Sequence, residues 1–205
     1  MLDNKGFDLW ADGYDESVGL SDEENTYPFA GYKDILNTIY REVLKSKADT
    51  VLDIGFGTGT LARCLYDLGI NIHGQDFSEE MIKIAQEKMP EAQLFAGDFN
   101  KGICKDLLGK KYDAIIATYS LHHLTDEEKV PFIKSLLPLL NPGGKIYIGD
   151  VAFENRQDLE ACKEKSFAYW DHDEYYFVYD ELKPSFPSMN FEKYSFCAGV
   201  LTIKN

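Results

Sequence analysis

Three alternating glycines, at positions 55, 57 and 59, follow a β-branched segment and precede a helical one in the stretch VLDIGFGTGT. Without a Cβ, such residues let backbone N–H groups approach a ligand closely. The dinucleotide fingerprint G-x-G-x-x-G fails, because Thr60 stands where its third glycine belongs. Asp53 lies two residues before the first glycine, and its carboxylate would repel a pyrophosphate. The pattern favours a nucleotide-like ligand with a positive charge; the alternative is a tight turn that binds nothing.

Two further acidic residues stand where predicted strands end. Asp76 ends the second strand, roughly 20 residues beyond the glycines, where a carboxylate can accept both hydroxyls of a ribose. Asp98, in AGDFN, follows the third strand and could accept from an adenine amino group, with the Phe99 N–H nearby. Each acid alone is typical of a solvated turn. Because parallel strands end at one edge of a sheet, we expect all three carboxylates in one cleft.

Alternating helical and extended patterns position these residues. Strands are predicted at 50–54, 70–73, 93–96, 112–118 and 145–150. Helices are predicted at 32–44, 59–68 and 79–89 and, after a capping box at 125–128, over VPFIKSLLPLL. This alternation predicts a parallel sheet with helices on both faces. A helix at 154–170, an aromatic and acidic stretch at 171–182, and a terminal antiparallel hairpin broken near Gly199 complete the chain.

Composition excludes several functional classes. The 205 residues suit one domain, and 35 acidic against 21 basic side chains give a net charge of −14. So acidic a surface repels nucleic acids and anionic membranes. The four cysteines stand singly without metal-ligand spacing, and no apolar run approaches the ~20 residues of a membrane span. We therefore predict a reduced, cytoplasmic protein that contacts neither nucleic acid nor membrane; nothing in the sequence predicts an oligomeric state.

The segment from about 30 to 150 resembles the class I S-adenosylmethionine-dependent methyltransferases. The matching stretches are DIGFGTG (53–59), GQDFSEEMI (74–82), AGDF (96–99), YDAIIATYSLHHL (112–124) and LNPGGKIYI (140–148). The amino end, FDLWADGYDESV (7–18), looks like the lid helix of many small bacterial members. Its alternative is an acidic solubilising segment.

The resemblance implies an α/β fold: a doubly wound, mostly parallel seven-stranded sheet whose last strand is antiparallel. It implies one methyltransferase domain over 1–205. Within it, residues 1–27 form the lid, 30–150 the cofactor-binding core, and 151–205 a substrate-side helix and terminal hairpin.

The resemblance also implies S-adenosylmethionine as cofactor and S-adenosylhomocysteine as product. Asp53 and the carbonyl near Thr118 would face the ammonium group, Asp76 the ribose, and Phe77 with Met81 the two faces of the adenine. For Phe77 and Met81 the alternative is a place in the core under the following helix. The implied cofactor-binding residues are Trp10, Tyr14, Asp53, Gly55, Gly57, Thr58, Gly59, Asp76, Phe77, Met81, Asp98, Phe99 and Thr118.

The residues that would bind the methyl acceptor are less clearly indicated than those for the cofactor. His122 and His123 follow the fourth strand, and either could take a proton from an acceptor, or merely cap and pack the turn. We expect no metal site, because adjacent histidine rings should diverge and no third ligand is evident. Aromatic and acidic side chains that could hold an acceptor, or pack as a surface helix on the fourth strand, are Tyr27, Tyr119, His172, Glu174, Tyr175 and Tyr176.

The resulting hypothesis is S-adenosylmethionine-dependent methyl transfer, by in-line displacement, to a small neutral or cationic molecule. Whether an O, N, S or C atom accepts the methyl group is left open. One alternative is a non-catalytic module that binds S-adenosylmethionine or S-adenosylhomocysteine. Another is an NAD-linked oxidoreductase, for which 205 residues leave no room for a further substrate domain.

Overall fold

The computed structural model describes residues 25–204. The helices are α1 (Tyr32–Lys45), α2 (Thr60–Tyr66), α3 (Glu79–Lys88), α4 (Asp126–Leu136), α5 (Arg156–Lys165) and α6 (Tyr179–Leu182). The strands are β1 (Thr50–Ile54), β2 (Asn71–Asp76), β3 (Gln93–Ala96), β4 (Tyr112–Thr118), β5 (Leu140–Phe153), β6 (Phe177–Val178), β7 (Asn190–Lys193) and β8 (Ala198–Lys204). Ser78 caps α3 through its side chain, and Thr125 and Glu128 form the predicted capping box of α4.

The main sheet has the strand order β3-β2-β1-β4-β5-β8-β7. Strands β1 to β5 run parallel, and β8 lies antiparallel to both β5 and β7. The predicted doubly wound, mostly parallel sheet with an antiparallel last strand is therefore confirmed. One strand was not predicted: β6 pairs with the end of β5 through its two residues, 177 and 178.

Apolar residues pack on both faces of this sheet. Neighbouring side chains of β1 point to opposite faces, so Val51 joins a buried cluster with α1 and α2, whereas Leu52 joins a second cluster with α4. Both faces of β1 and β4 are buried, which explains why these strands read as continuous apolar runs. The two apolar clusters fix the position of the sheet edge at which the parallel strands end.

Several predicted boundaries differ from the structure: β2 continues to Asp76 rather than ending at 73, and α2 ends at Tyr66 rather than at 68. Strand β5 begins at Leu140 rather than at 145, because 141–144 bulge out between its pairings with β4. The helix predicted at 154–170 is α5, which begins at Arg156 and ends at Lys165. The hairpin turns at 194–197, and Gly199 lies inside β8, where a Cβ would come within 2.4 Å of the Phe191 ring. That glycine serves close packing rather than a turn.

Most of the predicted lid, residues 1–24, lies outside the described residues. Among residues 25–204, none of the helices has the length and apolar character needed to cross a membrane.

Candidate active site at the carboxyl edge of the sheet

The glycine turn is closed on one side and open on the other. Gly55 has φ +70° and donates its N–H to the Gln75 carbonyl at 2.8 Å; a Cβ here would lie 2.4 Å from the Ser120 Cβ. Ser120 Oγ in turn donates to the Ile54 carbonyl at 2.8 Å, which ties the turn to the segment after β4. Gly57 also has a positive φ, +54°, but a Cβ there would meet nothing within 4 Å. The space in front of Gly57 is thus free for a ligand.

The third glycine and Thr58 contact α3 instead. A Cβ on Gly59 would come 2.8 Å from the Met89 Cε, so this glycine lets α2 approach the end of α3. The Thr58 carbonyl accepts from Lys88 Nζ at 3.1 Å. Both residues therefore fix the shape of the turn.

Two of the three predicted carboxylates are buried together. Asp53 is 1% exposed, and its Oδ1 finds no hydrogen-bond partner within residues 25–204. Burial, together with the nearby charge of Asp76, raises the pKa of Asp53 to about 8. Asp76 accepts hydrogen bonds from the N–H groups of Gly57 at 2.8 Å and Ser78 at 2.9 Å. A cation placed beside Asp53 would offset the cost of ionising it.

Next along this edge is an open pocket of about 430 Å³, lined by Phe77, Asp98, Phe99, Asn100 and His123. Phe77 is 67% exposed, and Met81 in α3 is 37% exposed, so their alternative place in the core is wrong. Partial burial opposes ionisation of Asp98, but hydrogen bonds from Asn100 and the nearby Lys101 hold its pKa below the usual value. A flat apolar ring beside a carboxylate suits a heteroaromatic base with an amino group.

The two histidines after β4 have different surroundings. His122 is buried; its Nδ1 lies 2.7 Å from Asp150 Oδ1, and its Nε2 lies 3.3 Å from Glu174 Oε1. Burial opposes protonation of His122, but the two carboxylates, Asp150 foremost, raise its pKa. Burial and the adjacent His122 lower the pKa of His123, which lines the pocket. His123 is therefore mostly neutral at pH 7.

Both reasons for expecting no metal site at these histidines are wrong. The rings do not diverge, since their centroids lie 4.4 Å apart. A third side chain with a ligand atom is also present: one atom each from His122, His123 and Glu174 lie within 4.8 Å of one another. The third residue was hidden because it comes from a segment about 50 residues later in the chain.

Tyr27 and Tyr176 support Glu174. The Tyr176 hydroxyl donates to Glu174 Oε2 at 2.8 Å and contacts the Tyr27 hydroxyl. Tyr27 also stacks on Trp170, with ring centroids 5.1 Å apart. Tyr176 is 4% exposed and lies in the core, so the expectation that its side chain contacts an acceptor is corrected. Its burial raises the pKa of its hydroxyl.

The other predicted acceptor residues do not join this cluster. The Tyr175 ring lies 5.7 Å from Lys129 Nζ on α4, while its backbone N–H donates to the His122 carbonyl at 2.8 Å. His172 is exposed and meets the Phe167 ring at 6.4 Å between centroids.

Tyr119, with φ +48°, packs among other aromatic rings just after β4. It lies 5.4 Å from Phe29 and 5.0 Å from Tyr32 between centroids. Thr118 ends β4 beside it and is partly buried. Trp10 and Tyr14 lie outside the described residues.

Sequence reasoning missed Asp150 and Trp170. Asp150 lies inside β5 but ends the strand predicted at 145–150, so the rule that singled out Asp53 and Asp76 at strand ends would have found it. No local signal marks Trp170, because its partner Tyr27 comes from the other end of the described chain.

Residues 51–144 match a family model described as "Methyltransferase domain". An uncharacterized methyltransferase of Geobacillus sp. (strain WCH70) is 41% identical over 194 residues, which cover 90% of this chain and 87% of the relative. Another, from Oceanobacillus iheyensis, is 34% identical over 192 residues, with the same two coverages of 90% and 87%.

Two solved structures show the same fold. Magnesium protoporphyrin IX methyltransferase from Synechocystis PCC 6803, with bound S-adenosylhomocysteine, gives a TM-score of 0.70 at 19% identity, covering 98% of this chain and 95% of that one. The plantazolicin methyltransferase, with a substrate analogue and S-adenosylhomocysteine, gives 0.63 at 19% identity over 93% and 90%. From the identity and coverage of its Geobacillus relative, the chain belongs to a family of bacterial methyltransferases.

Proposed function

We propose that this methyltransferase takes its methyl group from S-adenosylmethionine and transfers it to a small molecule. The observation that carries the proposal is the buried Asp53 Oδ1, which lacks a partner within residues 25–204 and lies beside an open glycine turn. A buried carboxyl of this kind calls for a cationic partner. Both solved neighbours named above hold S-adenosylhomocysteine, the product of this donor, on the same fold.

The side chains fit the donor in the order of the strands. Asp53, after the middle of β1, would hold the ammonium group, together with the carbonyl near Thr118. Asp76, at the end of β2, would hold the ribose; the two backbone N–H groups that fix its carboxylate leave lone pairs for the ribose hydroxyls. After β2, the exposed faces of Phe77 and Met81 would enclose the adenine, and Asp98, after β3, would accept from its amino group.

The open side of Gly57 gives the donor room at the turn. A side chain there would fill the space needed by a ligand that lies close against the backbone, whereas glycine leaves the N–H groups of the turn accessible. When bound, the donor supplies a methyl group on a positively charged sulfur, which leaves as a neutral thioether. The chain's own task is then to align the acceptor and to exclude water.

Of the two histidines, His123 is the better candidate for accepting a proton. It lines the pocket, and its lowered pKa keeps the ring neutral and able to accept at pH 7. His122 is instead held between Asp150 and Glu174 and acts as a positioning residue.

We further propose that the acceptor is neutral or cationic. The net charge of −14 disfavours RNA, DNA and other polyanions, and favours cations near the surface. The excess of acidic side chains, together with four unpaired cysteines, also fits a cytoplasmic protein. Residues 1–27 are proposed as a lid that covers the donor.

A turnover screen tests the proposal. The full chain is incubated with S-adenosylmethionine and panels of amines, hydroxylated acids and thiols, and release of S-adenosylhomocysteine is measured. We expect at least one small acceptor to give turnover that Asp76→Ala reduces at least tenfold and that Asp67→Ala, on the exposed end of α2, leaves unchanged. Turnover only with nucleic acid would contradict the proposed acceptor class, and donor binding with no turnover on any class would favour the non-catalytic module.

A further inference from the structure

Three potential metal ligands converge at the wall of the pocket. His122 Nε2 lies 3.3 Å from Glu174 Oε1, and all three ligand atoms, with His123, lie within 4.8 Å. Zinc–nitrogen and zinc–oxygen bonds of about 2.0–2.2 Å at a tetrahedral angle separate two ligand atoms by roughly 3.4 Å. One pair already has this spacing. The widest pair, within 4.8 Å, would have to close by up to about 1.4 Å, which is within reach of a side-chain rotation of the exposed His123.

The outer contacts also match those of a metal centre. Ligating histidines generally give their second ring nitrogen to a carboxylate, which fixes the ring. His122 Nδ1 meets Asp150 Oδ1 at 2.7 Å, so Nε2 is the nitrogen left for an ion. Asp150 is itself held by the Val151 N–H at 2.8 Å, and Glu174 by the Tyr176 hydroxyl at 2.8 Å. Two of the three ligands are thus oriented before any ion binds.

We propose that His122, His123 and Glu174 bind one divalent transition-metal ion, with Zn²⁺ as the reference case. Two histidines and a glutamate form a ligand set that zinc uses with a further position left open. The alternative is an ion triad in which a protonated His122 bridges Asp150 and Glu174. That triad explains His122 but leaves out His123, whose ring lies beside His122 and faces the pocket. Binding of an ion by His123 would replace the proton-accepting role proposed for it above.

The placement of the ion suggests what it would hold. His123 lines the same pocket as Phe77 and Asp98, the residues proposed to hold the adenine, so open coordination positions would face the bound donor and the acceptor brought against it. An ion there lowers the pKa of a hydroxyl or thiol that binds it. This points to acceptors with an oxygen or sulfur donor atom. That role rests on the proposed function, whereas binding of the ion does not.

Titration of the metal-free full chain with CoCl₂, followed by displacement with ZnCl₂, tests the site. We expect one Co²⁺ per chain, visible absorption bands from nitrogen and oxygen ligands, and a micromolar or tighter Kd for Zn²⁺. His123→Ala and Glu174→Gln should each weaken binding at least tenfold, and Asp150→Asn about 10- to 100-fold. His172→Ala is the matched control: it removes a nearby exposed histidine outside the cluster and should change the Kd less than twofold.

Circular dichroism and thermal melting establish that each variant folds; His123→Ala alters an exposed ring and keeps the test open if Asp150→Asn fails to fold. Absence of stoichiometric binding in the wild type would overturn the proposal. So would equal Kd values for His123→Ala and His172→Ala, which indicate nonspecific binding. S-adenosylhomocysteine is also titrated into the wild type, so absence of stoichiometric metal binding with donor binding retained refutes the metal site alone.

Discussion

Two halves of the carboxyl edge compensate their buried charges differently. The donor edge, formed after β1, β2 and β3, holds Asp53, whose Oδ1 has no partner within residues 25–204, and Asp76 and Asp98, whose hydrogen bonds come largely from nearby backbone N–H groups. The acceptor edge, around β5 and β6, holds Asp150 and Glu174, which pair with the side chains of His122 and Tyr176. Asp150 also accepts from the Val151 N–H, and its Oδ2 has no partner within residues 25–204. Only the donor edge combines a fully buried carboxyl with a glycine turn that is open to a ligand.

The difference shows how the two edges are prepared for binding. On the proposed function, a cationic ligand completes the donor edge and relieves the cost of the buried, unpaired Asp53 carboxyl. The acceptor edge is held by contacts between segments far apart in the chain, such as Tyr27 with Tyr176, and keeps its geometry without a ligand. We therefore expect donor-edge substitutions to alter ligand affinity strongly, and acceptor-edge substitutions to alter stability first.

The glycine turn gives the largest expected effect. Gly55→Ala would place a Cβ 2.4 Å from the Ser120 Cβ at a positive φ, and should lower the free energy of unfolding by about 3 kcal/mol or more. Gly57→Ala meets no atom within 4 Å and should cost only about 1–2 kcal/mol from its backbone conformation. Urea unfolding measures both. Equal losses would show that the turn is not closed against Ser120.

Gly57→Ala should nevertheless weaken binding of S-adenosylhomocysteine at least tenfold in calorimetry, because the added methyl group occupies the proposed donor space. Unchanged affinity in a folded Gly57→Ala protein would place the donor elsewhere.

Asp76→Ala should weaken S-adenosylhomocysteine binding at least tenfold, because it removes two charge-assisted hydrogen bonds, each worth about 1.5–3 kcal/mol. It also removes the acceptor for the Gly57 and Ser78 N–H groups, so the free protein should lose about 1–3 kcal/mol of stability. Asp67→Ala, a matched exposed aspartate paired with Arg63, should change neither quantity appreciably. Similar S-adenosylhomocysteine affinities of Asp76→Ala and Asp67→Ala would contradict the proposal that Asp76 binds the ribose.

Asp53→Asn should change the pH dependence of stability. The folded-state pKa of Asp53, about 8, lies above the ordinary value of 3.8 for an aspartate. Its contribution to stability is therefore full below about pH 4 and is lost as pH rises through about 8. Relative to the wild type, the variant should gain about 4 kcal/mol between pH 5 and pH 9, since an amide cannot ionise and each pH unit up to the pKa of about 8 corresponds to about 1.4 kcal/mol. Denaturant unfolding across this range measures the difference; a constant difference would show that Asp53 titrates normally.

The acceptor-edge tyrosines give the smallest expected effects and a direct contrast. Tyr176→Phe removes the hydroxyl between Glu174 and Tyr27 and should cost about 1–2 kcal/mol of stability. Tyr175→Phe, in an exposed ring beside Lys129, should cost less than about 0.5 kcal/mol. Both should leave S-adenosylhomocysteine affinity within a factor of about two, as measured by calorimetry. A large loss of S-adenosylhomocysteine affinity in either variant would indicate that the two edges form one binding site.

The donor edge was largely predictable because each of its parts is local in sequence. Asp53 and the glycines share one ten-residue stretch, and Asp76 and Asp98 each close a recognisable strand. The sequence also predicts the sheet and its antiparallel end, since apolar patterning specifies which faces are buried.

The acceptor edge was predictable only in part. Its residue types stood out, but their partners depend on how distant segments meet: Glu174 reaches His122 only because 171–176 folds back toward the turn after β4. No periodic pattern reports such contacts, which is why Tyr176 was assigned to the acceptor although it is buried, and why the three potential ligands were not seen as a group.

Calorimetric titration of the wild type with S-adenosylhomocysteine and with NAD⁺, under identical conditions, tests the central claim most directly. If the buried Asp53 and the open turn serve an ammonium group rather than a pyrophosphate, S-adenosylhomocysteine should bind with a micromolar Kd and NAD⁺ at least about 100-fold more weakly, a difference of about 2.7 kcal/mol. Binding of NAD⁺ as tightly as S-adenosylhomocysteine would contradict it.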